Sequence, residues 1–358
     1  MGEKRPFRWG MLGTGRHAQR IADGIRLTEN AVLYAAASHT PGKGERFCAA
    51  NGVPRCYASY EQLLRDPEVD GVFVASTNQL HCEHTKLALR CGKPVVCEKP
   101  LAINHREAEE MAAAARESGV FLMEAMWSRF FPAAVRLREL LEAGVIGRVQ
   151  MVSANYGYRI PGYDLSDPTS RIFDPQRGGG SLLDVGVYPL YFASMVLDGA
   201  PTGAAGAMSP TPLGVDGHCA AVISFERGAI AAILCGIDGN TDTDACVYGS
   251  EGYIRVPRFY HPDTLEIYAD GRPVETVRLP FEGAGYQFEL MRAQACIEQG
   301  WTECPEMPLE ESLRLISVLD ELRGAWNLRY PFETQETGAS DTEGRENGGP
   351  DKNCHSGA

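Results

Sequence analysis

The sequence has no long run of apolar residues, which excludes a membrane-spanning helix. No stretch approaches the roughly 18 consecutive apolar residues that such a helix needs. The first ten residues, MGEKRPFRWG, are partly basic but lack the apolar segment of a secretory signal. We therefore expect a cytoplasmic protein with no membrane partner.

Closely spaced cysteine pairs are missing as well. The 11 cysteines are an odd number and none forms a CxxC pair, so neither a disulfide framework nor a zinc ribbon is expected. The HCEH run at residues 81–84 lacks the spacing and the acid–base partner of a zinc-binding HExxH helix. We expect no metal site, a packing or capping role for His84, and a reducing compartment.

Basic residues are too few for a nucleic-acid binder. The chain has 34 Lys and Arg against 47 Asp and Glu, a formal net charge of −13, whereas nucleic-acid affinity comes largely from clustered basic side chains. Part of this charge lies in residues 333–358, which contain six acidic and two basic residues and almost nothing apolar. We expect this tail to be disordered and expect no nucleic-acid partner.

The chain does contain enough apolar sequence for two globular domains. Its residues are 44% apolar and 23% charged, a composition typical of globular proteins. The chain of 358 residues is longer than a single hydrophobic core usually serves. Short apolar runs alternate with helix-length stretches as far as Ala125, which predicts βαβ units around a parallel sheet. Strand-like segments dominate residues 149–268, and helices are predicted at 286–299 and 309–326.

The first strand leads into a glycine-rich turn that is typical of dinucleotide binding. In this GxGxxA pattern, Gly13 permits the tight turn, Gly15 lets the backbone approach a pyrophosphate, and Ala18 lets helix and strand pack closely. The predicted cofactor-binding residues of the turn are Gly13, Thr14, Gly15, Arg16 and His17. A plain glycine turn is the alternative, and the surrounding βαβ pattern favours the dinucleotide site.

The end of the second strand lacks the acidic residue that an NAD site usually has. An Asp or Glu about 20 residues after the glycine turn normally binds the ribose hydroxyls, but here Ser38 and His39 end the strand. Because Ser38, His39 and Lys43 can donate hydrogen bonds to a 2′-phosphate, we predict NADP as the preferred cofactor and NAD as the alternative. No Arg is present to strengthen this preference, and His39 and Lys43 can also be read as solvated loop residues.

Polar residues also follow the fourth and fifth strands. Ser76, Thr77 and Asn78 come directly after the fourth strand, with His81 close behind, and Glu98 ends the fifth. Open α/β sheets bind ligands at the carboxyl ends of their strands. We therefore predict that these five residues contact the cofactor.

Lys99 follows Glu98, at the point where a proton-transferring group would be needed. Hydride transfer at a carbinol carbon requires a partner that accepts or donates the hydroxyl proton, and a partly desolvated lysine beside a nicotinamide suits this task. We predict that Lys99 is catalytic and also contacts the cofactor. The alternative is a surface lysine at a strand end, since lysines are mostly exposed.

Several motifs together resemble the glucose-fructose oxidoreductase and inositol dehydrogenase family, Gfo/Idh/MocA. They are GxGxxA, the NxxH at residues 78–81 and the EKP at residues 98–100. RGGGSLLDVGVYPL, EAMWSRFFP and GYQFE further resemble the branch of dimeric dihydrodiol dehydrogenase and NADP-linked xylose dehydrogenase, over residues 8–332. His39 departs from this branch, in which Arg is common at that position, and this puts the NADP preference in doubt.

The resemblance implies a catalytic group in which Asp184 and Tyr188 meet Lys99 over the substrate. A helix would carry these two residues at positions i and i+4 and so on one face. Asp184 would orient the lysine or the substrate hydroxyl, and either Lys99 or Tyr188 would carry the proton. The alternative is an amphipathic helix whose tyrosine packs on the sheet.

Aromatic residues near the change of domain are candidates for substrate binding. The last strand of the first domain is followed by Trp127, Arg129 and Phe130. The first strand predicted after the change of domain carries Tyr156 and Tyr158. Their rings suit stacking on a sugar face or a diol ring, and core packing is the alternative. We predict that Trp127, Arg129, Phe130 and Tyr158 bind the substrate.

The resemblance implies an α/β fold with two domains and a tail. Residues 1–126 form a Rossmann domain with a doubly wound parallel sheet, residues 127–332 form an α+β domain with a large, mostly antiparallel open sheet, and residues 333–358 form the tail. The open sheet face implies a homodimer or higher homo-oligomer. Residues 127–332 would bind the substrate and form the dimer contact.

The predicted function is hydride transfer between NAD(P) and a CH–OH carbon of a sugar, cyclitol or cyclic diol. One alternative is an enzyme with tightly bound NAD(P) that acts on glycosides through transient oxidation. Another is a non-catalytic dinucleotide-binding sensor, because a fold alone does not define a function. The presence of Lys99, Asp184 and Tyr188 argues against the sensor.

Overall fold

The N-terminal part of the protein folds around a parallel sheet. The computed structural model describes residues 5–159, 162 and 164–333. The strands of this sheet are β1 (Phe7–Leu12), β2 (Ala31–Ala37), β3 (Arg55–Tyr57), β4 (Gly71–Val74), β5 (Val95–Glu98) and β6 (Leu122–Ala125). They pair in parallel in the order β3-β2-β1-β4-β5-β6. The order reverses between β1 and β4, where a doubly wound sheet opens its ligand crevice.

Helices connect these strands and cover the sheet. They are α1 (Arg16–Arg26), α2 (Lys43–Asn51), α3 (Tyr60–Leu64), α4 (His81–Arg90) and α5 (His105–Ser118), whereas α6 (Pro132–Glu142) follows the last strand and leads to the second sheet. The predicted parallel sheet of βαβ units is confirmed. The short strand β3 carries no signal in the sequence, because its three residues include no buried side chain.

The second sheet is large and mostly antiparallel, as predicted. Its strands are β7 (Val149–Gly157), β8 (Pro201–Pro210), β9 (Asp216–Phe225), β10 (Ile230–Gly236), β11 (Ala245–Gly249), β12 (Gly252–Val256), β13 (Thr264–Ala269) and β14 (Arg272–Arg278). They pair in the order β14-β13-β12-β11-β7-β10-β9-β8. Strands β7 and β10 run parallel, whereas the other neighbours in the described part are antiparallel.

The remaining helices are α7 (Val187–Val196), α8 (Tyr286–Glu298) and α9 (Leu309–Ala325). Helix α7 packs on β7 and β10, whereas α8 packs on α1 and α9 on α5, so the closing helices bind the two parts of the chain together. Both closing helices were predicted and are confirmed. Among the described residues, no helix combines the length and the apolar character that crossing a membrane requires.

The predicted acidic tail starts too early at Glu333. This residue is partly buried, its carboxylate pairs with Arg323 at 2.9 Å, and it accepts a hydrogen bond from Asn104 at 3.0 Å. Charge pairing thus holds Glu333 in the folded part, although the residues that follow it in sequence are polar. The rest of the predicted tail, residues 334–358, lies outside the described residues.

Candidate active site

The glycine-rich turn lies at the crevice of the parallel sheet and has room for a ligand. Gly13 has φ +98°, and a Cβ atom there would lie 2.9 Å from the carbonyl oxygen of Ala75, so only glycine fits. Gly15 precedes α1 with ordinary extended φ and ψ, and a Cβ atom there would meet nothing within 4 Å. The open space in front of the helix N-terminus is where a pyrophosphate binds in such folds.

Two buried hydroxyl groups in this crevice have no partner among the described residues. The Oγ1 atom of Thr14 and the Oγ atom of Ser76 are both buried without a hydrogen bond in the described part of the chain. Buried polar atoms are nearly always hydrogen-bonded, so these two hydroxyls call for a polar ligand. Thr14 follows β1 and Ser76 follows β4, and the residues present therefore fit a dinucleotide.

The loop after β2 places His39 on an aromatic surface. The His39 side chain is exposed, but its ring lies 4.0 Å from the ring of Tyr60 at 31°. The His84 ring meets the same tyrosine edge-on at 4.7 Å, which confirms the predicted packing role of His84. Lys43 is exposed at the start of α2, and Ser38 accepts a hydrogen bond from the backbone of Thr40 at 3.3 Å.

Two residues predicted to contact the cofactor form hydrogen bonds between loops. His81 is fully buried, with Nδ1 2.8 Å from the Pro100 carbonyl and Nε2 3.2 Å from the Ser76 carbonyl. Asn78 is buried and donates a hydrogen bond to the Gly178 carbonyl at 3.2 Å. These contacts fix the loops after β4 and β5 and join them to the second domain.

The other predicted cofactor residues lie along the rim of the crevice. Arg16 is exposed, and Thr77 is partly exposed directly before a short helical turn at Asn78–Leu80. His17 and the buried Glu98 form an ion pair between the glycine turn and the end of β5. Burial alone would raise the pKa of Glu98, but the neighbouring His17 outweighs it and holds this pKa below its ordinary value.

Lys99 meets Asp184 at the boundary of the two domains. The Lys99 ammonium donates to the Asp184 carbonyl oxygen at 2.5 Å, and it lies 3.7 Å from the Asp184 carboxylate. The same carboxylate accepts a hydrogen bond from the Tyr158 hydroxyl at 2.7 Å and pairs with Arg171 at 3.3 Å. Burial would raise the pKa of Asp184, but Lys99 and Arg171 hold it well below its ordinary value, so the group is ionised.

Tyr188 is the third side chain of this group. Its ring centroid lies 5.0 Å from the Lys99 ammonium, a cation–π distance, and its hydroxyl accepts a hydrogen bond from Trp127 at 2.9 Å. Burial raises the pKa of Tyr188 well above its ordinary value, so its hydroxyl stays protonated at neutral pH. Lys99, Asp184 and Tyr188 therefore lie together in the structure.

The segment that carries Asp184 and Tyr188 is not a uniform α-helix. Leu182–Gly186 is a π-helical turn that continues into α7 at Val187, whereas the sequence analysis expects one α-helix. Pro189 has no N–H to donate to the carbonyl four or five residues before it, and proline in a helix interior disrupts the regular pattern. The Asp184 carbonyl, five residues before Pro189, bonds to Lys99 instead.

Aromatic rings line the surroundings of Lys99. Trp127 stacks on Tyr286 at 4.3 Å and 6°, and Tyr156 stacks on Tyr260 at 4.1 Å and 17°. The sequence analysis assigns no role to Tyr286, Tyr260 or Arg171. Tyr286 lies in the GYQFE motif, so the sequence offers a signal for it. Nothing in the sequence places a loop residue such as Tyr260 near β7.

Arg129 and Phe130, predicted to bind the substrate, lie in the protein interior. Arg129 is buried and forms an ion pair with Glu311 of α9 at 2.8 Å, and one guanidinium nitrogen contacts the sulfur of Met307. Phe130 is part of the main apolar core. Both lie on the tight turn that begins at Trp127, and Trp127 belongs to the same core.

The family match covers both parts of the chain. Residues 7–126 match the family described as "Oxidoreductase family, NAD-binding Rossmann fold", GFO_IDH_MocA. Residues 134–255 match a C-terminal domain of the same family. The first match contains the glycine turn and Lys99, and the second contains Asp184 and Tyr188.

Relatives of known activity match over nearly the whole chain. Trans-1,2-dihydrobenzene-1,2-diol dehydrogenase from Mus musculus is 33% identical over 339 residues, which cover 91% of this chain and 98% of the relative. The protein of the same name from Danio rerio is 32% identical over 340 residues, which cover 92% and 99%.

Solved structures show the same two-domain architecture. A 3-ketoreductase from Actinomadura kijaniata, crystallised with NADP and TDP-benzene, has a TM-score of 0.77 and 28% identity, and the match covers 89% of this chain and 97% of that one. Aldose-aldose oxidoreductase from Caulobacter crescentus, crystallised with glycerol, has a TM-score of 0.80 and 26% identity, covering 90% and 97%. The family predicted from the motifs is thus confirmed: the chain belongs to the Gfo/Idh/MocA oxidoreductases and is an NAD(P)-dependent enzyme.

Proposed function

We propose that this enzyme is a dehydrogenase that transfers a hydride between NAD(P) and a CH–OH carbon of a sugar, cyclitol or cyclic diol. The observation that carries the proposal is the meeting of Lys99, Asp184 and Tyr188 beside a crevice that fits a dinucleotide. The relatives support it, because they are named as a dihydrobenzenediol dehydrogenase, a 3-ketoreductase and an aldose-aldose oxidoreductase.

The side chains divide the work of proton transfer. NAD(P), when bound, supplies the hydride acceptor or donor. Lys99 exchanges a proton with the hydroxyl group of the substrate. Its amino group can act as a general acid or base, and its side chain is only partly exposed to solvent. Asp184 orients this ammonium through its carbonyl and carboxylate oxygens. Tyr188 supports the cation with its ring and keeps a protonated hydroxyl available as a second donor.

We assign the phosphate-binding role to the glycine turn and to the hydroxyls of Thr14 and Ser76. Their lack of partners in the described protein supports this assignment. NADP is the preferred cofactor in this proposal, because the loop after β2 offers Ser38, His39 and Lys43. The His39 ring contacts the Tyr60 ring at 4.0 Å, and this contact favours a fixed position for the imidazole.

The aromatic surroundings favour a cyclic substrate over an open-chain one. The ring of Tyr156 on β7 contacts those of Tyr158 and Tyr260, and the Tyr158 hydroxyl bonds to Asp184. Flat rings stack well on the apolar faces of sugars and cyclic diols. Arg171 is half-exposed beside Asp184, so it can also reach a polar group of the substrate. We assign substrate contact to Trp127 and Tyr158 and keep it as a prediction for Phe130, whereas the guanidinium of Arg129 is paired with Glu311.

We further propose that the enzyme is a homodimer formed through the open face of the second sheet. Strand β9 alternates between buried and exposed residues. The exposed side of neighbouring strands carries Met151, Val222, Ile230 and Leu234, each 43–53% exposed. Such a contiguous apolar surface indicates an interaction site, and a second copy of the same sheet is complementary to it.

The dimer is tested by sedimentation velocity of Leu234→Glu. The added charge in the centre of the patch is expected to give monomers, while Val145→Glu, an equally apolar exposed position outside the sheet, keeps the parent's state. A dimeric Leu234→Glu protein, or a monomeric parent, would contradict the proposal.

We place the enzyme in the reducing cytoplasm. The ten cysteines of the described chain are free thiols, which is typical of proteins kept in a reducing compartment. This proposal predicts that the purified protein shows the same electrophoretic mobility with and without a reductant. A mobility change would count against it.

The enzymatic proposal is tested by screening substrates with NADP⁺ and NAD⁺. Formation of the reduced cofactor is followed by fluorescence with trans-1,2-dihydrobenzene-1,2-diol, D-xylose, D-glucose and myo-inositol as probes. Turnover that disappears in Lys99→Met is the expected result. Cofactor that stays bound through gel filtration, together with no net reduction, would instead favour the alternative of transient oxidation with tightly held NAD(P).

A further inference from the structure

A buried carboxylate holds the turn that carries Asp184. Asp216, the first residue of β9, is fully buried. Its Oδ2 atom accepts a hydrogen bond from the Ser181 hydroxyl at 2.7 Å and another from the Leu182 backbone at 2.6 Å. These donors lie at the start of the π-helical turn, two and three residues before Asp184. The carboxylate therefore fixes the point from which the turn begins.

The surroundings of Asp216 leave no space for another arrangement. Gly180 has φ +115°, and a Cβ atom there would overlap the Oδ1 atom of Asp216. The Tyr330 hydroxyl bonds to the Gly179 carbonyl at 2.7 Å, and the Cys235 thiol lies against Ser181 on the other side. The glycine run before the turn is thus held by contacts from β9, β10 and the segment after α9.

Burial makes the ionised form of the Asp216 carboxyl group unfavourable. Burial raises the pKa of Asp216 to about 6, although the two hydrogen bonds at Oδ2 oppose the change, and Oδ1 has no partner in the described chain. The other ionisable groups that act on it are Arg323 of α9, the buried Tyr330 and the Cys235 thiol of β10. Arg323 is already paired with Asp320 and Glu333, so it does not compensate Asp216 fully.

We infer that Asp216 is a positioning residue for proton transfer: it fixes the π-helical turn so that both oxygens of Asp184 meet the Lys99 ammonium. This inference rests on the proposed role of Lys99. The Asp184 carbonyl and carboxylate both contact Lys99 in this turn, and the first residues of the turn are bound by Asp216. Without that anchor, Asp184 moves away from the ammonium.

The test measures the ionisation of Lys99 directly and needs no substrate. The full-length protein is labelled with a trace of acetic anhydride across a pH series, and mass spectrometry gives the pH at which labelling of Lys99 is half-maximal. An opposite charge within about 4–6 Å favours the charged form of a lysine by roughly one to three pH units. Asp216→Ala is therefore expected to lower the Lys99 midpoint by about one pH unit.

Further variants separate positioning from general stability. Asp216→Asn keeps an acceptor oxygen and is expected to shift the midpoint less than Asp216→Ala. Ser181→Ala removes one of the two donors and should give a small shift in the same direction. Thr211→Val is the matched control, because Thr211 is buried in the loop before β9 and its hydroxyl has no partner in the described chain.

An unchanged Lys99 midpoint in a folded Asp216→Ala protein would overturn the inference. If that variant does not fold, unchanged midpoints in both Asp216→Asn and Ser181→Ala would overturn it equally. Each variant is checked for NADPH binding by fluorescence, which should stay within about twofold of the parent because the cofactor domain is untouched. Failure of the proposed function is a separate result, since it would appear as normal turnover by Lys99→Met.

Discussion

Replacing Lys99 by methionine is the sharpest test of the proposed chemistry. Methionine has nearly the length of lysine, but it removes the ammonium that lies over the Tyr188 ring and bonds to Asp184. Loss of a general acid–base group typically lowers a rate about 100-fold to 10,000-fold. This equals about 3–5 kcal/mol of transition-state stabilisation, since each tenfold change is about 1.4 kcal/mol.

The comparison with Tyr188→Phe distinguishes the two possible proton carriers. Phenylalanine keeps the ring under Lys99 and removes one hydroxyl, whose contact with Trp127 is a single hydrogen bond of 2.9 Å. The net contribution of one such bond is about 0.5–1.5 kcal/mol, so we expect a loss of about 2-fold to 12-fold if Lys99 carries the proton. A loss equal to that of Lys99→Met would identify Tyr188 as the carrier.

The assay is single-turnover hydride transfer, followed by cofactor fluorescence with a substrate found by screening. Lys93→Met is the matched control, because Lys93 precedes the same strand at its opposite end and also bonds to two backbone carbonyls, at 2.7 and 2.8 Å. The control is expected to lose thermal stability but to keep its rate. Full hydride transfer by Lys99→Met at every pH would refute the mechanism.

Three further predictions concern the cofactor and stability. Gly15→Val should fold, because a Cβ atom there meets nothing within 4 Å, yet lose NADPH binding in a fluorescence titration; intact binding would contradict the assigned crevice. Ser38→Asp should reverse the ratio of kcat/KM for NADP and NAD, because a carboxylate repels the 2′-phosphate; an unchanged ratio would show that this loop does not select the cofactor. Asp216→Asn should raise the Tm at pH 8, because the parent's carboxyl, with its pKa raised to about 6, disfavours the folded state once it is ionised. That gain should fade as the pH falls through 6 towards about 4, and an equal gain at pH 4 would contradict the burial argument.

The features that the sequence predicts well are those determined by residues that are neighbours along the chain. The glycine turn, the strands before it and Glu98-Lys99 are local patterns, and each lies where the topology of a doubly wound sheet requires. The contact between Lys99 and Asp184 spans 85 residues. It followed from the family resemblance and not from any local pattern.

Residues that act through distant partners could not be predicted. The sequence analysis predicts a substrate contact for Arg129. Its ion pair with Glu311 could not be predicted, because Glu311 lies 182 residues away on α9. His81 has the expected position at a strand end, but its ring is engaged by two carbonyls. The position of an arginine or histidine therefore predicts proximity to the crevice and not the direction of its side chain.

The π-helical turn was missed although one residue signals it. Asp184 and Tyr188 share a face in an α-helix and nearly so in the wider turn, so their spacing does not distinguish the two. Pro189 does, because it cannot donate to the carbonyl of Val185 and its ring crowds that carbonyl in a regular helix. A proline inside a predicted helix next to a catalytic candidate is thus a reason to expect irregular backbone at the site.

The two domains meet through buried polar contacts, and this explains how the site keeps its geometry. Glu124 of β6 is fully buried and accepts hydrogen bonds from the Leu101 backbone at 2.9 Å and the Tyr191 hydroxyl at 2.6 Å. It thereby joins the segment after Lys99 to the helix after Asp184. Apolar surfaces slide past each other at little cost, whereas buried hydrogen bonds are directional and costly to break. Glu124 and Asp216 each bind one side of the Lys99–Asp184 contact, so the separation of these two proposed catalytic groups is fixed by directional bonds on both domains.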